Sequence, residues 1–526
     1  MKRDLACALL IALVVWVSTT ETCRGEDQMN TQMRAIKYGD NVYLRSVFSP
    51  QEDLLIRVGK GTNRQINFAN VWLVTNSSGM SEKELTGGRL IHGNGDDSTP
   101  WNINGTYIGG NHGGAAVQEL TCKGHGLTTA DLGSEWSDAA GVRFFLIKVV
   151  DADRLWFLSQ NMGKPDLWQF RTNLSGSALT RKAPPASLAF TGSHVAQLVP
   201  ACRIARQDYL VNGKTPLEDG KEVSCDHFDI VEEYDIINPA SLLEDVIAHP
   251  GVQRGFTADH LQAVIRNHIV YRFYPNGANV IHFTAEALQP FNVGYMGFIQ
   301  SAPLSKGAFT THEYYIPKTI PFQQDGISYD FRSIQDYSFK LPSPLLFKTT
   351  NNNLEDAGNL PDRFIQFLGR KENDHTVREV GYALGYSPVR GLTQPAERAK
   401  NVASSLMLYT SSKTYPSAID SKMGPLIPAG KQFHCVAYRQ YFNAAALKNA
   451  TAFYYHEEDG DTIVYADYHK PVEKDVLQLP VRLTGKTISV VEKTPSLTLH
   501  TTKSVPASGL VVSVEGNYGY AVLVIR

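Results

Sequence analysis

Apolar and polar positions alternate with a period of two over much of the chain, the pattern of half-buried strands. NVYLRSVF (Asn41 to Phe48) alternates cleanly. LLIRV is short and apolar, and INFANVWLV is β-branched and aromatic. GVRFFLIKVVDADRLWFLSQN predicts a hairpin, Phe144 to Val150 up and Leu155 to Leu158 back, turning at Asp151-Ala152-Asp153. KPDLWQFRTN and ASLAFTG continue the pattern. CRIARQDYLVNGKTPLEDGKEVSCDHFDIVEEYDIIN predicts at least three strands, with VNGK and EDGK carrying turn residues. IVYRFYPNGANVIHFTAEAL predicts a hairpin about Pro275-Asn276-Gly277. HCVAYRQYFNA predicts a strand with Tyr438 and Gln440 on one face and Arg439 and Tyr441 on the other. FYYHEEDGDTIVYADYHK predicts a hairpin turning at Glu457 to Asp461. Helical spacing is confined to three stretches. These are ASLLEDVIAH after Asn238-Pro239, ADHLQAVIRNH capped by Thr257, and AERAKNVASSLMLYTS after Pro395.

Many strands and few helices predict an all-β protein, a large antiparallel β-sandwich with a small C-terminal β unit. Four segments are expected. Residues 1–25 read as a signal peptide and 26–198 as an N-terminal β region. Residues 199–470 read as a central sandwich with short helices, and 471–526 as the small unit. No repeat of propeller-blade length occurs.

Composition narrows the function classes. A formal net charge of -2 over 526 residues offers no electrostatic case for nucleic acid. Lys2 and Arg3 precede an apolar run, Leu5 to Val17, and then a polar stretch, the pattern of an export signal cut between Thr19 and Glu26. The expectation is a secreted or periplasmic protein without a transmembrane segment. Thr-Glu-Thr before Cys23 is a poor context for a lipid anchor. Cys122, Cys202, Cys225 and Cys435 are too few for a disulfide scaffold; Cys202 and Cys225 are a candidate bridge, with free buried thiols the alternative.

Candidate chemistry is densest from His92 to Trp136. HGNGDDSTPW, YIGGNHGG and CKGHGLTTADLGSEW hold His92, Asn111, His112, His125 and Trp136 among glycines that permit tight turns and close approach. The alternative is a pair of turns whose histidines bond backbone carbonyls. The segment has no GxSxG elbow, and no D-x-H precedes GDD to complete a two-metal phosphoesterase site. His92, His112, His125, Asp96, Asp97, Asp131 and Glu135 match no named metal motif. No cofactor is required; these residues leave open a catalytic metal site and, equally, a structural calcium held by loop carboxylates and carbonyls. A glycoside hydrolase would need two carboxylates from Asp96, Asp97, Asp131, Glu135, Glu232 and Glu233, for each of which surface charge is the default. Glu232 and Glu233 also suit edge charges on a strand.

The favoured expectation is β-elimination on a uronic-acid polysaccharide. A base removes the proton beside the carboxylate, a second group neutralises that carboxylate, and an acid protonates the leaving oxygen. His112 or His125 suits the base, Asn111 and Arg439 the neutraliser, and Tyr438 or Tyr271 the acid. His92 and Trp136 complete the expected sugar contacts. The signal, the two glycine-rich runs, VYRFYPNG and VAYRQYF resemble secreted bacterial carbohydrate-active proteins. The chain is similar in character to polysaccharide lyases that use His and Tyr. That resemblance implies a polysaccharide partner; a hydrolase or a non-catalytic glycan-binding protein stands as the alternative.

Overall fold

In the computed structural model the protein is all-β. It describes residues 32–60, 66–84, 88–93, 116–131, 135–137, 143–159, 169–172, 180–183, 202–237, 263–288, 291–292, 295–297, 310–315, 321–324, 327–330, 345–348, 364–369, 377–382, 386–387, 391–392, 405–408, 414–420, 426–427, 429–458, 460–501 and 503–526. Helical structure among these residues is limited to three-residue 3-10 turns.

The central element is a nine-stranded sheet. Its middle is built from Phe228–Ile237, Ala263–Phe273, Ala278–Ala287 and Gln432–Asn443, paired antiparallel in that order. Cys202–Val211 lies beyond the first of these. One face is largely apolar, interrupted by buried Glu232 and Asn267. Phe228, Ile230 and Tyr234, then Ile265, Ile269, Tyr271 and Phe273, then Ile281, Phe283 and Ala285 are all buried. They share a core with Val42, Leu44, Leu54, Ile56, Ile66, Val71 and Leu73 of a six-stranded sheet that starts at Met33–Tyr38. The two sheets therefore form a sandwich, as the alternation predicts.

A third layer closes one end of the other face. The sheet of Ala452–Glu458, Asp461–Tyr468, Gly519–Ile525 and Ile488–Lys493 places Tyr454, Ile463, Tyr465, Val522 and Val524 against Val280, Val436 and Tyr438. Its opposite face packs on a smaller sheet around Leu497, Leu510 and Val512. Gly519–Ile525 is consequently buried along its whole length, which is why GYAVLVI is continuously apolar rather than alternating. Residues 116–183 supply a separate six-stranded sheet with its own small core of Leu146, Leu155 and Phe157.

Two helix expectations are overturned. AVIRNH opens the Ala263–Phe273 strand, and SLML is the strand Ser405–Leu408. In the first, Ile265, Asn267, Ile269, Tyr271 and Phe273 supply a buried row at period two, and neighbours pair on both sides. That packing overrides a helical pattern carried mostly by the preceding residues. ASLLEDVIAH and the signal segment lie outside the described residues. The Cys202–Cys225 bridge is also excluded. Cys202 pairs at the level of Ile236, whereas Cys225 lies three residues before Phe228, at the strand's far end. The separation is about 30 Å at the strand rise, far beyond disulfide reach. Cys225 is a free buried thiol, and burial pushes it up to about 12.

Candidate functional site

The expected site residues are dispersed. Asn111 and His112 lie outside the described residues. His92 contributes backbone to Arg89–Gly93, opposite Val71. His125 uses one ring nitrogen on its own turn and the other on the turn between Arg143–Val149 and Arg154–Ser159. Nδ1 accepts from Leu127 N at 3.0 Å, so Nε2 carries the proton toward Asp151 O at 2.8 Å. Gly124 and Gly126 flank it with positive φ, as a tight turn requires. Trp136 packs edge-on against Phe157, 6.1 Å away, in the small core. Tyr438 is buried between the nine-stranded sheet and the C-terminal unit, near His456 at 4.3 Å between rings and bonded to Gln440. Arg439 is buried on the opposite face, beside Ala437 and Tyr441. Tyr271 lies inside the sandwich with its hydroxyl 3.4 Å from Glu232.

Two carboxylate expectations change. Glu232 is fully buried rather than a surface charge. Its Oε1 accepts from Ile66 N at 2.9 Å and Gln207 Nε2 at 2.7 Å, and desolvation pushes its pKa up to about 7. Glu233 lies on a strand paired on both sides, so it is not an edge charge. Among the described residues no group of three or more His, Cys, Asp or Glu stands close enough to hold a metal ion. Also among them, no helix is long and apolar enough to cross a membrane.

The densest convergence of reactive groups lies elsewhere, where the Phe228–Ile237 and Ala263–Phe273 strands meet the turn after Val211. Asn212 (φ 51) and Gly213 (φ 70) form a left-handed pair, the backbone of a tight hairpin turn. Asn212 N donates to His227 O at 3.0 Å. Its Oδ1 accepts from Asp226 N at 2.9 Å and His227 N at 3.3 Å. The turn is thus fastened directly to the histidine. The position a side chain would occupy at Gly213 is 3.0 Å from Asp229 Oδ2, 3.3 Å from His227 Nε2 and 3.8 Å from Arg272 Nη2. A base, a carboxylate and a guanidinium therefore pack close against the Gly213 backbone, where a side chain would crowd them.

Each group is set by its surroundings. Asp229 holds Arg272 through Nε at 2.7 Å and Nη2 at 2.6 Å, a bidentate pair that orients the guanidinium and leaves Nη1 outside it. That hydrogen bond keeps Arg272 protonated, well above its usual range. Burial lowers His227 below the ordinary imidazole value, against the opposing pull of Asp229. Tyr274 faces His227, with ring centroids 6.3 Å apart, and burial raises its phenol, keeping it protonated. The C-terminal unit forms the adjoining wall. Tyr274 donates to Glu457 O at 3.4 Å, and Asn276 Nδ2 donates to Tyr455 O at 2.7 Å.

Neither His227 nor Tyr274 stood out in the sequence, because neither lies in a glycine-dense run. The available signal was the NG turn at Asn212-Gly213, paired by strand parity with SCDHFD.

No known protein-family profile matches the chain, and no curated protein matches it. Among solved structures it is similar to a galactose 1-epimerase from Lactobacillus acidophilus NCFM. The identity there is 8%, over 77% of this chain and 98% of that one, with a TM-score of 0.21. It is also similar to a GalM/aldose epimerase homologue from C. elegans. There the identity is 7%, over 76% and 98% of the two chains, with a TM-score of 0.27. Superpositions this poor transfer neither fold nor chemistry to this chain.

Proposed function

We propose that this is an exported carbohydrate-active enzyme that cleaves a uronic-acid-containing polysaccharide by β-elimination. The observation that carries the reading is the clustering of His227, Asp229 and Arg272 beside Gly213, with Tyr274 next to them. These are the residue types the reaction needs, in one half-buried cluster. Arg272 neutralises the substrate carboxylate, which makes the adjacent C5 proton acidic. His227, neutral because burial disfavours its charged form, accepts that proton. The electron pair forms the C4–C5 double bond as the C4–O bond breaks, and the Tyr274 phenol protonates the departing oxygen. The side chains assigned here call on no bound cofactor. The leading basic, apolar and polar pattern supports export.

The test is a panel of uronate polysaccharides followed by the ultraviolet absorbance of the conjugated product. A rise with the wild-type protein supports elimination. New reducing ends without it would indicate hydrolysis, and retention of a glycan without either would indicate a binding protein; both would overturn the lyase reading.

A further inference from the structure

The same two strands carry a second polar cluster on the same face as Asp229 and Arg272. Arg206, Glu233, His268 and Thr284 lie opposite one another across four strands. His268 Nδ1 is 3.2 Å from Glu233 Oε1, and Arg206 reaches Glu233 at 3.4 Å and Asp208 at 2.5 Å. One step further, Asp235 accepts from Arg203 and Arg266, each at 3.1 Å. A bulge between Ile204 and Arg206 lets both arginines face outward from one strand. The side chains of Arg206, His268 and Arg266 are about half exposed, although the strand of His268 and Arg266 is paired on both sides. Between the two clusters buried Val231 and half-buried Val270 sit directly opposite.

We propose that this second cluster is a sugar subsite, resting on the reading above, that holds a glycan chain as it runs on from the reacting unit. Asp229 and Glu233 are four residues apart, about 13 Å along the strand, the reach of a short oligosaccharide. Half-buried Val270, between the clusters, suits the apolar C–H face of a ring. The flanking groups alternate donors and acceptors, which suits vicinal hydroxyls. The substrate is accordingly a polymer, not a free sugar.

The test is the double variant Arg266→Ala/His268→Ala, neither residue belonging to the reacting centre. With intact polysaccharide its KM rises about tenfold and kcat is unchanged. With disaccharide fragments, too short to span that distance, both constants match wild type. Equal effects on long and short substrates, or none on either, would overturn the subsite. Failure of the lyase reading is separable. If no polymer yields the absorbance, retardation of wild type and double variant in gels containing uronate, sulfated and neutral polysaccharides still reads the subsite. Weaker retardation of the double variant, persisting at high salt, supports it. Equal retardation, no retardation by any glycan, or a difference abolished by salt contradicts it.

Discussion

His227 and Glu232 sit five residues apart and illustrate how burial tunes opposite groups. Burial holds His227 neutral at lower pH than a free imidazole. The acid limb of kcat/KM is therefore expected below the ordinary histidine value, the rate climbing with pH as the ring loses its proton. Asp229→Asn removes the negative charge that opposes this shift and should move the limb lower still, read from pH–rate profiles. Glu232 behaves inversely. Its folded pKa is raised from 4.5 to about 7, so folding favours the protonated form. The stability this provides is full below the unfolded pKa and is lost as pH rises from there to about 7. Glu232→Gln keeps an acceptor for Ile66 N and Gln207 without the titration. Its stability relative to wild type should improve across that window, by on the order of 3 kcal/mol, measured by denaturant unfolding at several pH values. A difference constant with pH would refute it. Neither residue announces its role in the sequence. VEEY reads as two equivalent charges, and only the inward parity set by Ile230 and Tyr234 distinguishes Glu232 from Glu233.

At the scale of elements, turns and strands were the most legible features. The Pro275-Asn276-Gly277 turn joins Ala263–Phe273 to Ala278–Ala287 as read, and Glu457 to Asp461 joins the two strands predicted around it. Gly277 is required there twice over. Its φ is 80, and a Cβ would lie 2.7 Å from Tyr441 O. Gly277→Ala should therefore destabilise by roughly 1–3 kcal/mol in chemical denaturation; a neutral result would mean the turn can shift freely. Because this turn positions Tyr274 and Asn276 against the C-terminal unit, the same variant should also slow turnover. Helices were misread where tertiary pairing decides. Val264, Ile265 and Ile269 are compatible with a helical stripe, yet their strand is fixed by neighbours on both sides, the hairpin partner Ala278–Ala287 and the more distant Phe228–Ile237. His268 was hidden by that misreading, since a helix would have turned it away from Glu233.

For the whole molecule, the alternating pattern made the sandwich legible, because the inward residues of the central strands form one core with the six-stranded sheet. The glycine-rich segment was compositionally prominent, but the described part of it builds a turn and a small separate core. The proposed centre instead draws on Asn212-Gly213, His227-Asp229 and Arg272-Tyr274, brought together only by the pairing of three strands and walled by residues near 457. Such a constellation has no linear motif.

The most direct test compares wild type with His227→Ala and Tyr274→Phe on uronate polysaccharides, reading the absorbance of the unsaturated product alongside circular dichroism. The expected result is product with wild type, turnover reduced on the order of 100-fold or more in each variant, and unchanged spectra. Undiminished turnover in both folded variants, or no unsaturated product from any uronate polymer, would contradict the account.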